Sequence, residues 1–260
     1  MLAVISILLL IAQLGNSGDY PLKDGKPTSK GIELYVEQNS QTLVKEFQDF
    51  VGDTIYNVWI YTDELEDPWD SLSLELGRFF PHEIFITTSE HFEAYELKDL
   101  SPHRREKLRE CNKFVKAVMI HELAHEYVSQ IGVEMQSVHH LHIDKTYETG
   151  IWIVKSHETF GSSFIEEGIS EYITGKMGEL IPPSHLEKPQ TIEDLFDSKK
   201  EYLIKYKYAS AYLETFLDTT GFKKGVQILL HNPPPSYEEI LHPDRFFGRL
   251  EFPESYIATQ

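Results

Sequence analysis

The chain has 260 residues, 42 of them acidic and 24 basic, and its net charge of −18 repels phosphate and argues against nucleic acid as a partner. Hydrophobic residues make up 41% of it, enough for a good core in one domain or in two small subdomains sharing a cleft. The lone cysteine, Cys111, leaves no internal disulfide to form.

In chain order, residues 2–14 are almost wholly apolar and too short to span a bilayer, which takes roughly 20 residues. Gly15, Asn16, Ser17 and Gly18 then supply small residues for cleavage. The expectation is a signal peptide or short anchor over 1–17, export from the cytoplasm, and membrane contact through that segment alone. Residues 18–31, with Pro, Gly and Lys, read as a linker. Asn39 and Ser40 precede a predicted helix ending at Phe50. Residues 55–61 alternate as a strand, 83–88 read as a second, and 92–97 are a further candidate. Ser101 and Pro102 predict the start of a long helix, as N-cap and first-turn proline, with Gly132 as its stop.

Along that helix Leu108, Cys111, Phe114, Val115 and Val118 step by three and four, and the stripe runs directly into His121, Glu122 and His125. These three residues belong to the pentapeptide His-Glu-Leu-Ala-His, an H-E-x-x-H. Two histidines four residues apart lie one above the other on a helix, so both imidazoles can reach one metal ion. The glutamate between them projects beside that ion and can take a proton from water. Burying three such groups without a partner costs several kcal/mol, which a metal ion relieves. The plainer alternative is a pair of satisfied core histidines.

A catalytic zinc takes three protein ligands and keeps one position open. The metzincin continuation is absent, since Val128 and Ile131 stand where its Gly and His would be. Further on, Glu167 and Glu171 share one face of a predicted helix, and Ile165, Ile169 and Ile173 define another. Gly168 costs about 1 kcal/mol in a helix interior, which predicts a close approach to its backbone. His139, His140 and His142 have neither helix-pair nor finger spacing and read as a polar loop.

The pair of motifs resembles the gluzincins, zinc metallopeptidases in which an H-E-x-x-H helix is followed by a helix carrying E-x-x-x-[DE]. The resemblance implies an α+β, zincin-like fold: a small mixed sheet whose edge strand pairs with extended substrate, the active-site helix, and a mostly helical C-terminal subdomain. It implies one Zn2+ held by His121, His125 and Glu167, with Glu171 orienting one of the two histidines and Glu122 as general base. A peptide or protein is then the substrate. Glu166 stays open as a substitute ligand. The implied division is 32–135 for the first subdomain, 136–163 for an inserted loop or a hairpin at 147–155, and 164–260 for the second.

Residues 206–213 resemble the Y-x-x-[GS] helix start of aminopeptidase-like gluzincins, whose leading tyrosine hydrogen-bonds the tetrahedral intermediate. Ala209 at +3 and Gly221 at +15 favour Tyr206 over Tyr208 for that role. The G-A-M-E-N of true aminopeptidases is absent. Helices are further predicted at 192–196, 206–218 and 223–230. Residues 239–246 resemble an L-H-P-x-[KR]-[YF] element of related peptidase-like proteins, with His242 either stabilising an oxyanion or capping a turn. The expected activity is peptide-bond hydrolysis. The alternatives are a zincin-fold binding protein without turnover, which retention of both Glu122 and Glu167 argues against, and a hydrolase of non-peptide amides or esters.

Overall fold

A computed structural model describes residues 22–23, 26–27, 29–63, 77–80, 82–87, 111–139, 160–177, 188–197 and 203–252. The expected signal segment, the strand at 92–97 and the hairpin at 147–155 lie outside them. Within the expected linker, β1 (Leu22–Lys23) pairs antiparallel with β2 (Lys26–Pro27).

Helix α1 (Ser29–Val51) then begins inside the span read as linker. It buries Ile32, Val36, Leu43 and Phe47, an apolar stripe that holds one continuous helix together. Asn39 and Ser40 therefore do not start a helix. They lie within it and donate back to the carbonyls of Tyr35 (2.8 Å) and Val36 respectively. That i−4 bond satisfies a polar side chain in mid-helix and removes the need for a cap.

A three-stranded sheet follows, made of β3 (Trp59–Asp63), β4 (Gly77–Phe80) and β5 (Glu83–Thr87). Its order is β3-β5-β4, with β5 parallel to β3 and antiparallel to β4. Ile84 and Ile86 are buried, while Phe85 stacks on its register partner Tyr61 on the opposite face, ring centroids 5.6 Å apart. The strand expected from residue 55 starts instead at Trp59. Asn57 has φ 54°, which breaks the extended backbone ahead of it. The Tyr56 amide and carbonyl are taken up by the Gln130 side chain, at 3.0 and 2.9 Å.

The sheet packs on α2 (Cys111–His139), whose expected start lies outside the described residues. It runs through Gly132, the expected stop, because Ile131 and Met135 are buried on either side and packing outweighs a glycine's local cost. Buried Glu126 of α2 accepts the His82 amide at 2.9 Å and lies 3.2 Å from His82 Nδ1, fastening the turn between β4 and β5 to the helix.

Helix α3 (Phe160–Met177) packs against α2, so 136–139 and 160–163 are helical where an inserted loop was expected. Beyond it come α4 (Ile192–Leu195), a π-helical turn (Leu203–Tyr208), α5 (Ala209–Thr220), α6 (Phe222–His231), α7 (Tyr237–Leu241) and α8 (Pro243–Gly248). One buried apolar cluster extends from Ile32 to Leu250 through Met119, Leu123, Phe164, Ile169, Leu213 and Leu229. The described residues are mixed and mostly helical with a small sheet, which is compatible with an α+β fold. No helix among the described residues is long and apolar enough to cross a membrane.

Candidate metal centre

The contact between α2 and α3 brings His121 and His125 against Glu167. His121 Nε2 lies 3.1 Å from His125 Nε2 and 3.1 Å from Glu167 Oε2, and His125 Nε2 lies 3.5 Å from the same oxygen. The three ligand atoms all fall within 4.8 Å of one another, so His121, His125 and Glu167 are placed to hold a metal ion. The chemistry of the set agrees. Two imidazoles that merely filled a core would each seek a separate partner, whereas here both Nε2 atoms and a carboxylate oxygen converge on one point.

Charge accumulates at that point. Burial opposes the charged form of each group, yet Glu167 is held far below the usual carboxylate range by the two histidines, with His125 contributing most. Burial likewise opposes an imidazolium at His121 and His125, but Glu167 raises both, helped at His125 by Glu166.

Behind each ring stands another carboxylate of α3. Glu166 Oε1 lies 3.3 Å from His125 Nδ1, and Glu171 Oε1 lies 3.8 Å from His121 Nδ1. Of the two histidines, it is therefore His121 that Glu171 stands beside. Glu166, kept open as a substitute ligand, stands on the Nδ1 side of His125, away from the converging atoms. Its other oxygen, Oε2, is buried with no hydrogen-bond partner, as is Ser170 Oγ one turn along.

The backbone of α3 is approached where Gly168 predicted. A Cβ there would lie 2.8 Å from Ala209 Cβ and 2.9 Å from the Ala209 carbonyl carbon. The start of α5 is thus pressed onto α3 beside Glu167, and the π-helical turn just before it lies along the same helix. That turn separates two tyrosines. Tyr206 sets its ring 5.9 Å from the His121 ring, whereas Tyr208 is buried and donates to the Ile240 carbonyl at 3.1 Å. The wider turn also points Lys207 at Glu171, Nζ to Oε2 2.7 Å.

Glu122, one residue after His121, is buried at the first residue of β4. A Cβ on Gly77 would come within 2.7 Å of Glu122 Cγ and Oε1. Gly77, Lys207 and the position of Glu166 behind His125 are the features that sequence reasoning missed. Only Gly77 carries a local signal, a glycine at the head of an Arg-Phe-Phe run.

His242 sits apart, at the junction of α7 and α8. Its amide donates to the carbonyls of Glu238 and Glu239 and Pro243 follows in the first turn of α8, so its contacts are those of a turn. His139 ends α2, and His140 and His142 lie outside the described residues. No family model, curated protein or solved structure matches the chain.

Proposed function

We propose that the chain is a zinc-dependent metallopeptidase of the gluzincin kind, with a zincin-like arrangement of sheet, H-E-x-x-H helix and carboxylate helix. The observation that carries this reading is the convergence of His121, His125 and Glu167 beside Glu122. Zinc in such a ligand set lowers the pKa of a water and polarises a carbonyl.

The other roles belong to the chain. Glu122 takes the proton of the attacking water and delivers it to the leaving amine. Tyr206 donates a hydrogen bond to the oxyanion that develops on the substrate. Glu171 and Glu166 orient His121 and His125 from behind. β4 ends the sheet among the described residues and touches Glu122, which supports an extended peptide added along its outer edge by backbone pairing. The apolar run at 2–14 supports action after export.

Metal analysis of the purified chain, run beside digestion of a peptide library, tests the reading. The expected result is about one zinc per chain and cleavage that disappears in Glu122→Gln. Bound zinc with no cleavage would make the protein a binding module, and cleavage of amides or esters other than peptides would move it to another hydrolase class.

A further inference from the structure

We propose that Lys207 is a positioning residue of the metal centre, holding the Glu171 carboxylate in place behind His121. The inference rests on the metal reading above and goes beyond it, because no part of the gluzincin motif pattern calls for a lysine here.

Three observations carry it. Lys207 Nζ lies 2.7 Å from Glu171 Oε2, and the two side chains are only 17% and 11% exposed. The other Glu171 oxygen faces His121 Nδ1 at 3.8 Å, so one carboxylate lies between the ammonium and a ring whose far nitrogen belongs to the metal cluster. Finally, the lysine is carried by the π-helical turn that the tight Gly168–Ala209 contact holds along α3.

The charges explain why a cation belongs there. α3 brings Glu166, Glu167 and Glu171 to the two histidines, and a metal ion would be matched directly by Glu167 alone. A carboxylate withdrawn from water without a cation is costly, and it turns toward solvent instead. That would move the carboxylate away from His121. Lys207 prevents it by neutralising Glu171 from the side opposite the imidazole. The pair differs from the exposed ones, Lys116 with Glu46 and Lys176 with Glu214, which solvent screens.

Zinc affinity of the full chain, measured by competition with a chromophoric chelator, tests the proposal. K207M should weaken zinc binding by about 10- to 100-fold, the usual effect of losing an outer-shell partner, and K207R should recover most of it. In an E171Q background K207M should cost nothing further, because the lysine acts through that carboxylate. A K207M chain that melts earlier yet binds zinc like wild type would reduce Lys207 to a tie between α3 and the π-helical turn. Additive losses in the double variant would also overturn the proposal. If K207M does not fold, K207Q serves in the same comparison. A wild-type chain that takes no zinc overturns the metal reading itself, an outcome separate from the others.

Discussion

Gly77 and Glu122 meet so closely that a Cβ at position 77 would sit 2.7 Å from the Glu122 Cγ and Oε1, so any other residue there must displace the Glu122 side chain. Strand β4 thus borders the side chain of the proposed base. Gly77→Ala should push Glu122 aside and lower turnover by about 100-fold, as small misplacements of reacting groups do. Zinc content should be unchanged, since the three atoms nearest the added Cβ all belong to Glu122. Steady-state kinetics with metal analysis of the same preparation checks both halves.

Glu122→Gln keeps the volume and removes the base. Zinc should stay bound while turnover falls by about 100-fold or more. Activity close to wild type would show that another group takes the proton.

The neighbouring carboxylates of α3 separate by role. Glu167→Ala removes one of three converging ligand atoms and should abolish stoichiometric zinc. Glu166→Ala removes only the acceptor behind His125 and should weaken binding by about 10- to 100-fold. Chelator competition distinguishes them, and equal losses would move the third ligand elsewhere.

Two tyrosines two residues apart should fail in different ways. Tyr206→Phe is expected to lower turnover by about 100-fold with little change in substrate affinity. Tyr208→Phe breaks a buried hydrogen bond to the Ile240 carbonyl and should cost about 1 kcal/mol of stability without touching catalysis. Denaturant melts and kinetics on both variants give the comparison.

Acid should weaken the junction of α7 with the chain that follows α8. The Glu239 carboxyl is held below its ordinary value, first by its hydrogen bond to Arg249, against partial burial, and then by the Ser236 cap. A group whose pKa is lower folded than unfolded stabilises the fold above the ordinary glutamate value of about 4.3, and that contribution disappears as pH falls through the folded pKa. Glu239→Gln should therefore flatten the acid limb of the stability profile, measured by denaturant melts across pH. An unchanged limb would assign the acid sensitivity to other carboxylates.

The residues of the candidate metal centre are legible in the sequence because a helix repeats its faces. An apolar stripe stepping by three and four leads directly to His121 and His125, and four-residue spacing alone put Glu171 beside Glu167. What escaped depends on contacts distant in the chain. Lys207 acquires its partner 36 positions away, and only through a π-helical turn that no periodicity announces. β4 has four residues, too few for alternation to register. Asn39 and Ser40 do not mark a helix start because cap-forming side chains also satisfy themselves inside a helix. Ser236 and Glu239, by contrast, have the capping-box spacing and do mark one, that of α7.

Glu122 and Glu126 lie one helical turn apart on α2, and between them they fix both ends of β4: the first touches Gly77, the second fastens the His82 turn beyond Phe80. A beam resting on two supports cut from the same block cannot slide along it. Under the peptidase reading, a peptide that adds itself to the outer edge of β4 takes its backbone register from that strand, and the strand takes its own from the helix bearing the histidines. The choice of which bond in a bound peptide faces the metal would then be made by main-chain ruling, with side-chain pockets left to decide which peptides bind and not where they are cut.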